Sequence, residues 1–190
     1  MFTFSPFFRP SSLVRSTIAI GLAVFLVGQS SSEDASKKLA VDENTFGCLT
    51  DMEKTELGAY FVDNVLGNID DTLAVANSSD GGEFPAGSVV SLVPTEVMIK
   101  HEAGWNEATD DWEFFELNVS AEGSSIKTRG TTEVVNQFGG NCFGCHTQAR
   151  EEWDLICGSD HGCAPLPITR EIIMNIQNSD PRCVNKEMDA

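Results

Sequence analysis

Six cysteines in a chain of 190 residues fall into two chemical groups, and that division constrains the fold more than any other feature. Two of them stand in the run Cys142-Phe143-Gly144-Cys145-His146. C-x-x-C-H is the spacing at which two thiols on one helical turn capture the vinyl groups of a haem while the next residue ligates the iron. The run therefore predicts one covalently attached haem c, with Cys142 and Cys145 as the attachment points and His146 as the proximal ligand. The second ring nitrogen of such a histidine needs an acceptor, which the sequence does not single out. Two other chemistries use the same residues. A redox-active dithiol belongs in a βαβ pattern, and none surrounds this run. A zinc site would draw on Cys142, Cys145, Cys157 and Cys163, whose intervals of two, eleven and five residues do not match a zinc ribbon.

The start of the chain bears on the other four cysteines. Arg9 and Arg15 precede the apolar run Ile18-Ala19-Ile20-Gly21-Leu22-Ala23-Val24-Phe25-Leu26-Val27-Gly28, which is followed by Gln29-Ser30-Ser31-Ser32. This reads as a secretory signal over residues 1–32, cleaved to leave a mature protein in the periplasm. As a helix the apolar run would span about 16 Å at ~1.5 Å per residue, roughly half a bilayer core, so no stable membrane span is expected. In an oxidising compartment an even remainder of cysteines predicts two disulfides among Cys48, Cys157, Cys163 and Cys183. Of the three possible pairings, the one favoured closes Cys157 onto Cys163 in a tight loop that Gly158 and Gly162 allow, leaving Cys48 to join Cys183 and tie the two ends of the domain. His161, inside that loop, reads as an exposed polar residue rather than an iron ligand.

Charge narrows the partners. The chain carries 12 basic and 29 acidic residues, a net charge of −17. Without Arg9 and Arg15 the balance is ten against 29, or −19. Such a surface repels nucleic acid and anionic lipid, whose binding depends on Lys and Arg. A small molecule, or a neutral or basic redox partner protein, remains compatible. The roughly 155 residues after the signal suit one domain with a single core.

Residues 33–45 are polar and read as a flexible lead-in, with the domain running over 46–190. Met52, Leu57, Phe61, Val62, Val65, Leu66 and Ile69 recur at helical spacing after Thr50 or Asp51 as N-cap, predicting a helix that ends near Gly67. Strand signals follow in Val89-Val90-Ser91-Leu92-Val93, Glu96-Val97-Met98-Ile99-Lys100, Trp112-Glu113-Phe114-Phe115-Glu116-Leu117-Asn118-Val119 and Thr131-Thr132-Glu133-Val134-Val135. In the third of these, Trp112, Phe114 and Glu116 share one face and Glu113, Phe115 and Leu117 the other. The haem motif should open a helix running toward Arg150, and Ile168, Ile172, Ile173 and Ile176 predict another over 169–177. The class is α+β: an antiparallel sheet with flanking helices, the C-x-x-C-H helix lying toward the C-terminus.

In this order the pieces resemble the cytochrome P-460 and cytochrome c′-beta family of periplasmic mono-haem proteins. The resemblance covers roughly residues 50–157 and rests on Phe84-Pro85-Ala86-Gly87-Ser88-Val89-Val90, on Asp111-Trp112-Glu113-Phe114-Phe115-Glu116, and on Cys142-Phe143-Gly144-Cys145-His146-Thr147 followed by Ala149 and Asp154-Leu155-Ile156. It implies oxidation of hydroxylamine, or other handling of small nitrogen oxides, at an open distal haem site. The alternative it implies is a non-enzymatic protein that binds nitric oxide in an apolar distal pocket, and it also admits a homodimer. In the first group the haem is cross-linked to a lysine on the strand after the Pro-x-Gly turn; here Ser91-Leu92-Val93 stand there, and the next lysine, Lys100, is the candidate. Met98, Phe114 and Phe115 are the candidates for the distal pocket, and Glu113, Glu116 or Glu133 for proton transfer beside it. A low-spin electron-transfer cytochrome, the third reading, would need Met174 or Met188 as sixth ligand.

Overall fold

The computed structural model describes residues 37–56 and 60–183. The signal segment, Leu57 and Met188 lie outside the described residues. Six strands form one antiparallel meander in chain order: β1 (Glu53–Lys54), β2 (Phe61–Asn64), β3 (Ser88–Val93), β4 (Glu96–Lys100), β5 (Trp112–Ser120) and β6 (Gly123–Gly130). Helix α1 (Ile69–Ala76) follows β2, the short α2 (Cys142–His146) carries the two thiols and the histidine, and α3 (Arg170–Asn178) lies near the end of the chain. The expected antiparallel sheet with helices is therefore present. No helix among the described residues is long and apolar enough to cross a membrane.

Two of the expected elements are corrected. The helix read across 51–69 is instead a 3-10 turn at Leu49–Asp51, the short β1, and β2. β2 gains a full ladder with β3, pairing Phe61 with Ser91 and Asn64 with Ser88, and this pairing outweighs a local 3.6-residue period. Val65 and Leu66, counted toward the helical stripe, stay exposed. The strand read at 131–135 does not form either. The sixth strand is β6, whose Gly-Ser-Ser-Ile-Lys-Thr-Arg-Gly sequence holds a single large apolar residue and so gives little strand signal. Val134 is nonetheless buried, and Val135 makes only an isolated bridge to Asn141.

The strict alternation of side chains divides the interior into two cores. On the near face Val62, Val90, Met98, Trp112 and Phe114 pack with Tyr60, Phe84, Val134 and Ile156, and α1 adds Ile69 and Leu73. On the far face Val89, Val97, Ile99, Phe115 and Leu117 pack with Val41 and Phe46. Val41 and Phe46 belong to the stretch read as a flexible lead-in and its junction, so from residue 37 onward that stretch is part of the fold. Polar bonds fasten it: Leu39 N–H donates to His101 Nδ1 at 2.8 Å, and Lys38 Nζ lies 3.1 Å from Glu113 Oε1. The far-face Glu113 also receives Arg129 at 2.7 Å and His101 Nε2 at 2.8 Å. Burial pushes the Glu113 carboxyl up, but the bonds from His101, Arg129 and Lys38 outweigh it and hold the group at about 2.

Both expected disulfides are present. Cys157 bonds to Cys163, and Cys48 bonds to Cys183 across 135 residues. The second is reinforced where Asp180, buried at 2 % exposure, accepts from Leu49 N–H at 2.8 Å and from Arg182 Nη2 at 2.7 Å. Helix α3 starts at Thr169, whose side chain caps Ile172 N–H, and Gln177 anchors it by donating to Leu92 O at 2.8 Å.

Candidate functional site

Helix α2 begins because Asn141 caps it, its Oδ1 accepting from Gly144 N–H at 2.6 Å. The helix is a single turn and ends at His146, short of the Arg150 expected from the sequence. Cys142 N–H donates to Val134 O at 3.0 Å, which fastens the turn over the near face of the sheet, where Cys142 and Phe143 join the core. Cys142 and Cys145 are the free cysteines among the described residues. Burial, with a contribution from the Glu96 and Glu116 charges, pushes the Cys142 thiol up to about 11. A dithiol redox centre needs a depressed thiol pKa, so this environment opposes that alternative. The zinc alternative loses two of its four sulfurs to the Cys157–Cys163 bond.

His146 has the acceptor that the sequence left open. Its Nδ1 donates to Leu155 O at 2.6 Å, which leaves Nε2 as the lone-pair nitrogen. Nε2 makes no hydrogen bond among the described residues. Burial lowers the histidine pKa against an opposing effect of the Leu155 bond, favouring the neutral imidazole that binds metals.

Leu155 O reaches the ring because the backbone turns sharply after the 3-10 turn Glu151–Trp153. Asp154 has φ +46° and Leu155 φ +62°, two successive left-handed residues, neither of them glycine. Asp tolerates this region, whereas a leucine there costs about 1–2 kcal/mol. The Asp154 carboxylate, buried at 7 % exposure, anchors the turn. It accepts from Lys100 Nζ at 2.7 Å on each oxygen, from Phe84 N–H at 2.8 Å and from Trp112 Nε1 at 3.1 Å. Even so, burial raises its pKa more than Lys100 and the other donors lower it. Lys100 is 3 % exposed and its ammonium also lies over the Trp112 ring.

The other expected residues separate by face. Phe114 stacks obliquely on His146, with ring centroids 5.4 Å apart, and lies 6.3 Å from Phe143. Phe114 thus stands beside His146 on the near face. Strand alternation sends Phe115 to the opposite face from Cys142 and His146, where it packs on Phe46 at 5.1 Å. Met98 is buried in the near core, opposite Phe114 in the β4–β5 register. Leu92 packs half-buried against the same core. Met174 on α3 is 38 % exposed. His161 is stacked on Trp153 at 3.7 Å and bonded through Nδ1 to Ile156 O, so it is more enclosed than expected and serves the disulfide loop.

Of the three candidate proton-transfer carboxylates, Glu113 belongs to the far-face network and Glu133 is exposed, bonded to Thr131 N–H. Glu116 remains, and the structure adds a partner that sequence reasoning missed: Glu96 stands directly opposite it across β4 and β5. Burial and the Glu116 charge raise Glu96 to about 7, and burial raises Glu116 against the pull of Lys127. Glu96 Oε1 and Glu116 Oε2 are buried with no hydrogen-bond partner.

An open cleft of about 470 Å³ runs beside Lys100 and His101 and is rimmed by Asp71, Glu83, Glu102 and Asp111; Cys142, Cys145 and His146 are not in its lining. No family model matches the chain, and no curated protein or solved structure matches it either.

Proposed function

We propose that this chain is an exported c-type haem protein of the cytochrome P-460 and c′-beta kind that handles a small nitrogen oxide, with nitric oxide binding favoured over hydroxylamine oxidation. One observation carries the reading: two free thiols and a histidine on one helical turn, with the histidine Nδ1 bonded to Leu155 O and its Nε2 left for iron. The residues fit the group, because Cys142 and Cys145 are unpaired while the other four cysteines pair with each other. A haem held there would supply an iron able to bind and to exchange electrons with a small ligand. Leu155 would keep His146 neutral and oriented, and Phe114 would fix its ring. Glu96 and Glu116, close enough to Cys142 for their charges to raise its thiol pKa, would provide a protonatable pair on the same face of the sheet.

Lys100 separates the two members of this class. Its ammonium is bound to both oxygens of Asp154 in the core, and this engagement favours the reading without a lysine cross-link, a protein that binds nitric oxide. The deciding experiment is the ferrous absorption spectrum of the protein made in an exporting host with cytochrome c maturation. The expected result is a covalent c-type haem with an ordinary high-spin spectrum that responds to nitric oxide. A strongly red-shifted Soret band would instead assign the cross-link and hydroxylamine oxidation, and the absence of any haem band would overturn the proposal.

A further inference from the structure

Asp154 and Leu155 do two jobs within one turn, and the jobs are mechanically joined. The Asp154 side chain is clamped by Lys100 from β4, Trp112 from β5 and the Phe84 backbone, while the next residue's carbonyl is delivered to His146 Nδ1 at 2.6 Å. Both residues sit at positive φ without being glycine, a conformation that Asp154 tolerates but Leu155 would not choose by itself. Strained backbone of this kind persists only where surrounding contacts over-determine it. Here those contacts come from three separate parts of the sheet side of the molecule, and all converge on one carboxylate. Ile156 N–H, which donates to Trp153 O at 2.8 Å, closes the turn from the other end.

We infer that Asp154 is a positioning residue for the iron ligand: clamped by Lys100, Trp112 and Phe84 N–H, it holds the Leu155 carbonyl on His146 Nδ1 and so sets the electron donation of the histidine. This rests on the haem reading above. A firm Nδ1–H···O bond makes the imidazole a stronger donor, which stabilises ferric iron over ferrous and lowers the reduction potential. Releasing the clamp lets the left-handed turn relax, lengthens the bond and raises the potential.

The test compares the holoprotein with Asp154→Asn, and with the double variant Lys100→Met, Asp154→Asn, which leaves no unpaired charge in the core if the single variant fails to fold. Glu113→Gln serves as the control, because it breaks a buried ionic network on the far face without touching the turn. Covalent haem content and the midpoint potential are measured for each. The expected result is unchanged haem content, with an upward shift in the Asp154 variants approaching tenfold in the ferrous-to-ferric ratio at fixed electrode potential, about 59 mV for one electron. Glu113→Gln should leave the potential unmoved. An unchanged potential in Asp154 variants that carry haem overturns the inference alone, as does an equal shift in Glu113→Gln. A parent protein without covalent haem overturns the haem reading and this inference with it.

Discussion

Lys100 Nζ lies 2.7 Å from each carboxylate oxygen of Asp154, with the two side chains only 4 % and 6 % exposed. Fifty-four residues separate them, so the pair ties the fourth strand to the segment just beyond the thiol helix. Removing one partner strands the other charge in the core. Lys100→Ala should therefore cost about 3–5 kcal/mol. Urea denaturation monitored by tryptophan fluorescence measures it, and a loss under about 1 kcal/mol would mean that water reaches the pair.

The two adjacent phenylalanines of β5 should behave differently. Phe114→Ala and Phe115→Ala each empty a fully buried site and should each cost about 3–5 kcal/mol. If the proposed haem is bound at His146, only Phe114→Ala should also alter its spectrum and ligand-binding kinetics, because of the two only Phe114 touches that histidine. Parallel spectra of the two variants check this, and equal spectral effects would contradict the assignment of faces.

Glu96 gives a specific pH dependence. Its folded pKa is raised from the ordinary 4.5 to about 7, so the native state binds the proton more tightly than the unfolded chain does. The stability that this group contributes is fully present below about 4.5 and is lost as pH rises through about 7. Glu96→Gln should flatten the fall in stability over that window, as read from unfolding midpoints measured at several pH values.

Glu113 has the opposite sign. Its pKa is held at about 2 in the fold, so its contribution is present above the ordinary 4.5 and disappears as pH falls from there through about 2. Glu113→Gln should lower stability at neutral pH and remove part of the acid sensitivity. Acid unfolding curves of the two proteins that run parallel would contradict the ion network drawn around it.

The two disulfides should differ in worth. Loop-closure entropy grows with the logarithm of the enclosed length, so the Cys48–Cys183 bond, spanning 135 residues, should stabilise by roughly 3 kcal/mol more than Cys157–Cys163, spanning 6. Paired serine variants of each bridge, compared by thermal unfolding, measure the difference.

Short-range signals made much of this molecule legible. Strands β3, β4 and β5 follow from β-branched and aromatic runs, α3 from its isoleucine spacing, and both disulfides from cysteine count and loop glycines. β2 was hidden because Phe61, Val62, Val65 and Leu66 also satisfy a helical period, and only the ladder to β3 decides between the two. β6 was hidden because its stability comes from pairing with β5 rather than from its own residues. The site divides in the same way. Cys142, Cys145 and His146 can be read within five residues, whereas the facing of Glu96 and Glu116 depends on strand register. The Leu155 carbonyl depends on a left-handed turn that no residue type there announces.

The Cys48–Cys183 bridge also imposes an order on assembly. During synthesis Cys48 emerges 135 residues ahead of its partner, and Cys142, Cys145, Cys157 and Cys163 all appear in between. Every one of those sulfurs is available to it before the correct one exists. Cys157 and Cys163 can remove themselves by closing on each other across six residues, whereas Cys142 and Cys145 could do so only through a bond that the finished fold does not keep. Keeping the two free thiols away from Cys48 until the last segment arrives is thus a condition for a single native product.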